Sequence, residues 1–186
     1  MLLLVGAALG LLGGLAARGS LAPLASLRLR WIAIVPAALV VKELGIFGPL
    51  AAAGLGPWLY VASALALIAW VLAHHKVLPL AWMVALGMGM NLFVVLVNGG
   101  HMPVRAALAH RGPPQLLQRG VWGQYMIATP SSHLNWLGDT ILLPGRLGQI
   151  LPQAYSVGDL ITALGLMGMV FWLCRPRTRR AQHRPG

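Results

Sequence analysis

The chain alternates long apolar runs with short polar breaks. Five runs are legible: Leu2 to Ala17, Trp31 to Ala52, Trp58 to Ala73, Val77 to Val97 and Val157 to Cys174. A helix rises ~1.5 Å per residue and about 20 apolar residues cross a bilayer core, so each run reads as a membrane-spanning helix, the first a short one. The breaks are turn-forming strings: Gly54-Leu55-Gly56-Pro57, His74-His75-Lys76 and Asn98-Gly99-Gly100. Ser156, with Asp159 three residues on, predicts a capping box at the head of the fifth run. The pattern predicts an all-α fold: an integral membrane bundle of about five transmembrane helices, forming one domain over residues 1–174. A partly helical exterior lid, residues 98–156, separates the fourth and fifth spans, and a basic tail occupies residues 175–186.

Composition agrees with lipid as the solvent. The chain is 58% hydrophobic and 9% charged, whereas a soluble domain carries about 25% charged residues. Its net charge of +11 comes from 14 Lys+Arg against 3 Asp+Glu. The positive residues flank the apolar runs, which points to membrane lipids as partners and away from nucleic acid. Cys174 is the only cysteine, so no internal disulfide can form.

Arginine placement orients the bundle. Arg18, Arg28, Arg30, Lys76, Arg175, Arg177, Arg179, Arg180 and Arg184 fall on one side, and Arg105, Arg111, Arg119 and Arg146 are spread along the lid. The positive-inside rule then sets the N-terminus outside and the C-terminus in the cytoplasm, with the arginine-rich tail as a stop-transfer anchor. No Lys or Arg precedes the first run, so it reads as an uncleaved span rather than a signal peptide.

The lid is too long to be structureless. Pro103 predicts the start of a short helix through Ala109, which Pro113-Pro114 would stop. Apolar clusters around Leu116 to Ile127 and Trp136 to Leu143 predict that the segment lies on the bilayer or caps the bundle. Trp122, Tyr125 and Trp136 would be interface anchors. Gly6, Gly10 and Gly14, four residues apart, predict a close helix-packing face. The spacing leaves open whether the face takes a helix of the same chain, another protein or a second copy.

A few polar residues carry any chemistry. Lys42 and Glu43 interrupt the second run, and a charge near the bilayer centre costs about 2.5–3.5 kcal/mol. They read either as an ion relay or headgroup-binding pair, or as a structural pair near a span boundary. Asn91 and Asn98 share one face of the fourth helix; Asn91 suits an interhelical hydrogen bond and Asn98 the helix end. His101, His133, Asp139 and Asp159 gather outside and are the candidate acid–base residues, although the cap alone accounts for Asp159. Their spacing matches no metal signature, so no metal or cofactor is assigned. His74-His75 reads as a polar inner turn. Nucleotide loops, metalloprotease helices, zinc-type cysteine pairs and nucleophile elbows are absent from the sequence.

Asn98-Gly99-Gly100-His101-Met102-Pro103-Val104 resembles the NGGxMPV signature of domain-of-unknown-function family 5317, a family of bacterial membrane proteins. Leu137-Gly138-Asp139, Leu143-Pro144 and Ser156-Val157-Gly158-Asp159 are similar to its downstream motifs, in the same order, so that the likeness runs from the first helix to the basic tail. Thr140-Ile141-Leu142-Leu143-Pro144 departs from the family's Ile-Pro at that point. The resemblance implies a multipass protein of the bacterial inner membrane and no particular reaction. Three readings follow: a non-enzymatic binding or accessory subunit, a membrane enzyme acting on a lipid or envelope substrate at the outer face, and a small transporter using Lys42 and Glu43.

Overall fold

The computed structural model describes residues 1–47 and 49–175. Arg177, Arg179, Arg180 and Arg184 of the expected anchor lie outside the described residues. The chain is mostly helical. In order come α1 (Leu2–Ala16), α2 (Ala22–Ala25), α3 (Ile34–Leu44), α4 (Pro49–Ala52), α5 (Gly56–Ala73) and α6 (Ala81–Val97). After α6 follow β1 (Met102–Val104), α7 (Pro114–Arg119), β2 (Val121–Trp122), β3 (Tyr125–Ile127), α8 (Gly145–Ile150) and α9 (Val157–Cys174). Among the described residues, α5 and α9, each of 18 residues with mean hydropathies of 1.7 and 1.8, are long and apolar enough to cross a membrane. The apolar helices α1 and α6 are shorter, at 15 and 17 residues, and α3 has 11.

Local chemistry sets the boundaries. Helix α9 begins where expected because Ser156 caps it: its hydroxyl accepts from the Asp159 backbone N–H, while the Asp159 carboxylate accepts from the Ser156 N–H. Helix α6 starts at Ala81 rather than Val77. Pro79 disfavours helical backbone at Leu78, and Leu80 takes a left-handed φ of 58°. The second apolar run is split, with α3 stopping at Leu44. Gly45 there backs on Gly56 and Gly123, and a Cβ on Gly45 would lie 3.1 Å from the Gly56 carbonyl oxygen. Lys42 and Glu43 therefore stand in the last turn of α3, next to the break, and not at mid-helix.

The long helices pack in the order α1–α9–α6–α5–α3, leaving α1 and α3 at the two ends of the row. The α1 glycine face is filled from within the chain. A Cβ on Gly6 or Gly10 would run into the carbonyl oxygens of Ala163 or Met167 on α9, and one on Gly14 into Cys174. A second close crossing joins α6 to α9 where Gly87 and Gly158 meet. Small residues of this kind let helix backbones approach closely.

Hydrogen bonds gather the connections at one end of the bundle. Ser20 N–H donates to the Cys174 carbonyl at 2.9 Å. Arg30 is clamped by α5: Trp70 Nε1 donates to its carbonyl at 3.0 Å, and its own N–H donates to His74 Nε2 at 3.2 Å. His74 Nδ1 lies 2.8 Å from the Trp70 carbonyl, so that nitrogen carries the proton. His74 is buried and structural, not merely part of a polar turn.

The opposite end carries the lid, which contains a three-stranded sheet in the order β1–β3–β2. The expected helix from Pro103 is absent. Pro103 lies in β1, and a 3-10 helix begins only at Ala106. Strand β1 accepts the proline because Met102 N–H and the Val104 carbonyl bond toward β3. The residue between them turns to the other side, where its carbonyl accepts from Asp139 N–H at 2.9 Å and no N–H is needed for β3. Pro114 opens α7 at its first position, so the Pro113-Pro114 pair ends one helix and starts the next. The lid core is Val104, Leu108, Ala109 and Leu116.

Candidate functional site

Two clamps seat the lid on the bundle. Asn98 ends α6 by donating from Nδ2 to the Val94 carbonyl at 2.8 Å. The same amide grips the lid, donating to the His133 carbonyl and accepting from the His133 N–H, each at 2.8 Å. Trp122 Nε1 donates to the Ile46 carbonyl at 2.8 Å, tying β2 to the chain just after α3. Met102 and Leu137 of the lid pack against Val94 and Val95 of α6.

Beneath the lid is a cavity of about 410 Å³. The first turn of α1, the end of α3, the head of α9 and the lid line it. All three carboxylic acids of the chain, Glu43, Asp139 and Asp159, are in its wall. Lys42 and Arg111 line it too, with Tyr125 and Tyr155. The sequence placed Lys42 and Glu43 in one candidate group and Asp139 and Asp159 in another; the fold joins the two.

Each acid reaches the cavity in a different way. Asp159 is fixed by neighbours: Asn91 Nδ2 donates to its Oδ1 at 2.8 Å and Ser156 N–H to its Oδ2 at 3.2 Å. The Ser156 hydroxyl donates in turn to Asn91 Oδ1 at 2.7 Å, which closes a three-residue network between α6 and α9. Asp139 is held by its backbone, which bridges in parallel to Val104 and so extends the sheet beyond β1. Its residue is 8% exposed. Burial pushes the Asp139 carboxyl well above its ordinary 3.8; the charge of Asp159 adds to the shift and Lys42 opposes it. Glu43 is exposed at the rim and Lys42 half-buried. The Tyr155 hydroxyl is buried and has no hydrogen-bond partner among the described residues. Burial also raises the neighbouring Tyr125 phenol well above 10.0, with Asp139 adding to it.

The other sequence candidates lie elsewhere. His101 sits outside the cavity lining, after the glycine turn that ends α6. Burial lowers its imidazole from 6.5, and hydrogen bonds to the backbone of Asn98 and Gly99 oppose that shift. His133 is exposed and engages Asn98 through its backbone alone. The fold thus separates His101 and His133 from the two aspartates with which the sequence grouped them. Among the described residues, no three His, Cys, Asp or Glu side chains converge as metal ligands. Arg111, Tyr125 and Tyr155 were not singled out as site residues from sequence. The one available signal was that the chain holds only three acids, each of which needs a reason to be there.

No curated protein and no solved structure matches the chain. A family model does match, over residues 26–171, a range that begins after α1 and includes every charged residue of the cavity wall. The chain belongs to that family, a family of unknown function (DUF5317).

Proposed function

We propose that this protein is a five-span membrane protein that binds the head of a lipid at its outer face, as a binding or accessory module. The observation that carries the reading is the cavity, in which both signs of charge meet at the end of an otherwise apolar bundle. We take helices α1, α3, α5, α6 and α9 as the five spans, with α3 lengthened by the turn at Trp31–Ala33 before it. The sorting of Arg18, Arg28, Arg30, Lys76 and Arg175 to the end opposite the lid supports a cytoplasmic C-terminus in a bacterial inner membrane. Trp136, 68% exposed on the lid, suits an interfacial anchor. The first turn of α1 and the end of α3, the outer members of the helix row, both contribute to the cavity wall, and we take the gap between them as the route by which a lipid enters.

Native mass spectrometry of the detergent-extracted protein tests this. The expected result is a retained phospholipid that is lost or weakened on Lys42→Gln. A lipid-free protein, or retention indifferent to every cavity substitution, would refute it. A second reading, acid–base chemistry on that lipid, is favoured by the buried Asp139 carboxyl in the cavity wall. Turnover of bound lipid by the native protein and not by Asp139→Asn would carry it.

A further inference from the structure

Helix α8 (Gly145–Ile150) is an element of the lid that the chain leaves uncovered. None of its residues is buried, and Leu147 and Ile150 are 54% and 64% exposed. Three residues apart, these two share one helical face. The exposed Arg146 and Gln149 stand beside that face. Gly148 is turned inward, where a Cβ would run into the Leu143 carbonyl oxygen. The result is a short amphipathic turn with its apolar side free.

The height of α8 in the bundle says what covers it. Ile141 and Tyr155 exchange backbone hydrogen bonds of 3.0 and 2.9 Å, so residues 142–154 form a loop closed at the head of α9. The cap of α9 is level with Asn91, because the Ser156 hydroxyl donates to Asn91 Oδ1 at 2.7 Å. Asn98, where α6 ends, is two turns further along that helix. At ~1.5 Å per residue, the head of α9 lies about 10 Å deeper in the bundle than the end of α6. Helix α1 runs parallel to α9, with Gly6 against Ala163 and Gly10 against Met167, and so starts at a similar depth. Trp136 marks the upper level: it is 68% exposed and precedes Leu137, which packs on Val94 and Val95 in the last turn of α6. Exposed tryptophans settle at the membrane–water interface. The α8 loop is therefore rooted on the bilayer side of that level.

Resting on the five-span reading, we propose that α8 is a peripheral membrane contact, seated in the interfacial zone of the outer leaflet. Leu147 and Ile150 enter among the upper acyl chains, and Arg146 turns toward lipid phosphate. The apolar side of an interfacial helix enters about 5–10 Å, which matches the depth of the loop's root. Backbone pairing suits the turn to that place, since the Leu151 N–H donates to the Leu147 carbonyl at 2.8 Å. A long cationic side chain reaches back to the headgroups while its stem stays in apolar surroundings. Gln153 and Ala154 of the same loop line the cavity, so the wall of the lipid-head site borders the leaflet that supplies the lipid.

The test uses the full-length protein in nanodiscs of phosphatidylglycerol and phosphatidylcholine, with bimane on one introduced cysteine at a time. Cys174 is buried and stays unlabelled. Quenching is read from lipid nitroxides at a shallow or a deep chain position and from aqueous iodide. Leu147→Cys and Ile150→Cys should be quenched about twofold more by the shallow nitroxide than by the deep one, as interfacial depth requires, and be shielded from iodide. Gln149→Cys should be open to iodide. Leu164→Cys, 50% exposed in the middle of α9, should favour the deep nitroxide and is the control for the spanning reading. Lipid quenching of Leu164→Cys without any of Leu147→Cys and Ile150→Cys overturns this inference and leaves the five spans standing. Absence of lipid quenching from Leu164→Cys as well overturns both. Shielding of Leu147→Cys and Ile150→Cys from iodide and lipid alike would show a protein covering α8, a second copy included, and would overturn the bilayer as its occupant.

Discussion

Asn91 on α6 donates to Asp159 on α9 at 2.8 Å, across 68 residues of sequence. The bond is possible because Gly87 and Gly158 let the two helices touch one turn away. Asn91 also accepts from Ser156, so one amide satisfies both members of the α9 cap. Truncating it strands a carboxylate oxygen and a buried hydroxyl. Asn91→Ala should cost about 1–3 kcal/mol, seen as a lower midpoint of thermal unfolding in detergent. A midpoint within the error of the native protein would show that the network is dispensable.

The glycines of α1 and α6 should respond with opposite signs. Gly10 abuts the Met167 carbonyl, so Gly10→Leu must push α1 off α9, at about 1–3 kcal/mol or more. Gly89 has open space around it, and Gly89→Ala should stabilise α6 by up to about 1 kcal/mol. Thermal unfolding of the two variants side by side decides the matter, and the same sign for both would contradict the packing.

Asp139 makes stability depend on pH. Its folded-state carboxyl titrates well above the ordinary 3.8, chiefly through burial. The folded state therefore holds the proton when the unfolded chain has already released it. The associated stability is present in full below 3.8 and is lost as the pH rises through the folded-state value. The unfolding midpoint of the native protein should fall with rising pH over that window, and Asp139→Asn should flatten the fall. Parallel profiles for the two proteins would dispose of the assignment.

His74 accepts from the Arg30 N–H and packs against Trp70 with ring centroids 4.6 Å apart and the rings tilted by 38°. His74→Leu leaves that N–H without its partner and should cost about 1–3 kcal/mol. The neighbouring His75 is exposed, and His75→Ala should stay within about 0.5 kcal/mol of native. Equal effects from the two would mean that the clamp on Arg30 contributes nothing.

The proposed membrane orientation is open to thiol labelling, because the sole native cysteine, Cys174, is fully buried. Cysteines introduced at the exposed positions Gly112 and Lys76 should behave oppositely in intact cells. An impermeant reagent should label Gly112→Cys and spare Lys76→Cys. The reverse pattern would invert the topology.

The apolar helices α1, α5, α6 and α9, the capped start of α9 at Ser156 and the end of α6 at Asn98 were legible in the sequence, while the second apolar run was split into α3 and α4. Each is decided by residues within a few positions of one another. The strands β1, β2 and β3 were not, since segments of two or three residues are too short to show a period of two. The α1 glycines announced a close contact but not its partner, because a small-residue stripe specifies an approach distance and nothing about which helix supplies the other surface.

By itself, then, the sequence determined how much of the chain is apolar, roughly where its long apolar helices lie and which of its connections collect arginine. Burial periodicity and charge placement are local properties of a chain. The tertiary structure alone decided that Lys42, Glu43, Asp139 and Asp159 share one cavity while His101 and His133 lie outside its wall. That outcome depends on α9 packing between α1 and α6 and on the lid pairing Asp139 beside Val104. Contacts between residues so far apart in sequence arise from the sum of many packing energies, and no short motif encodes them.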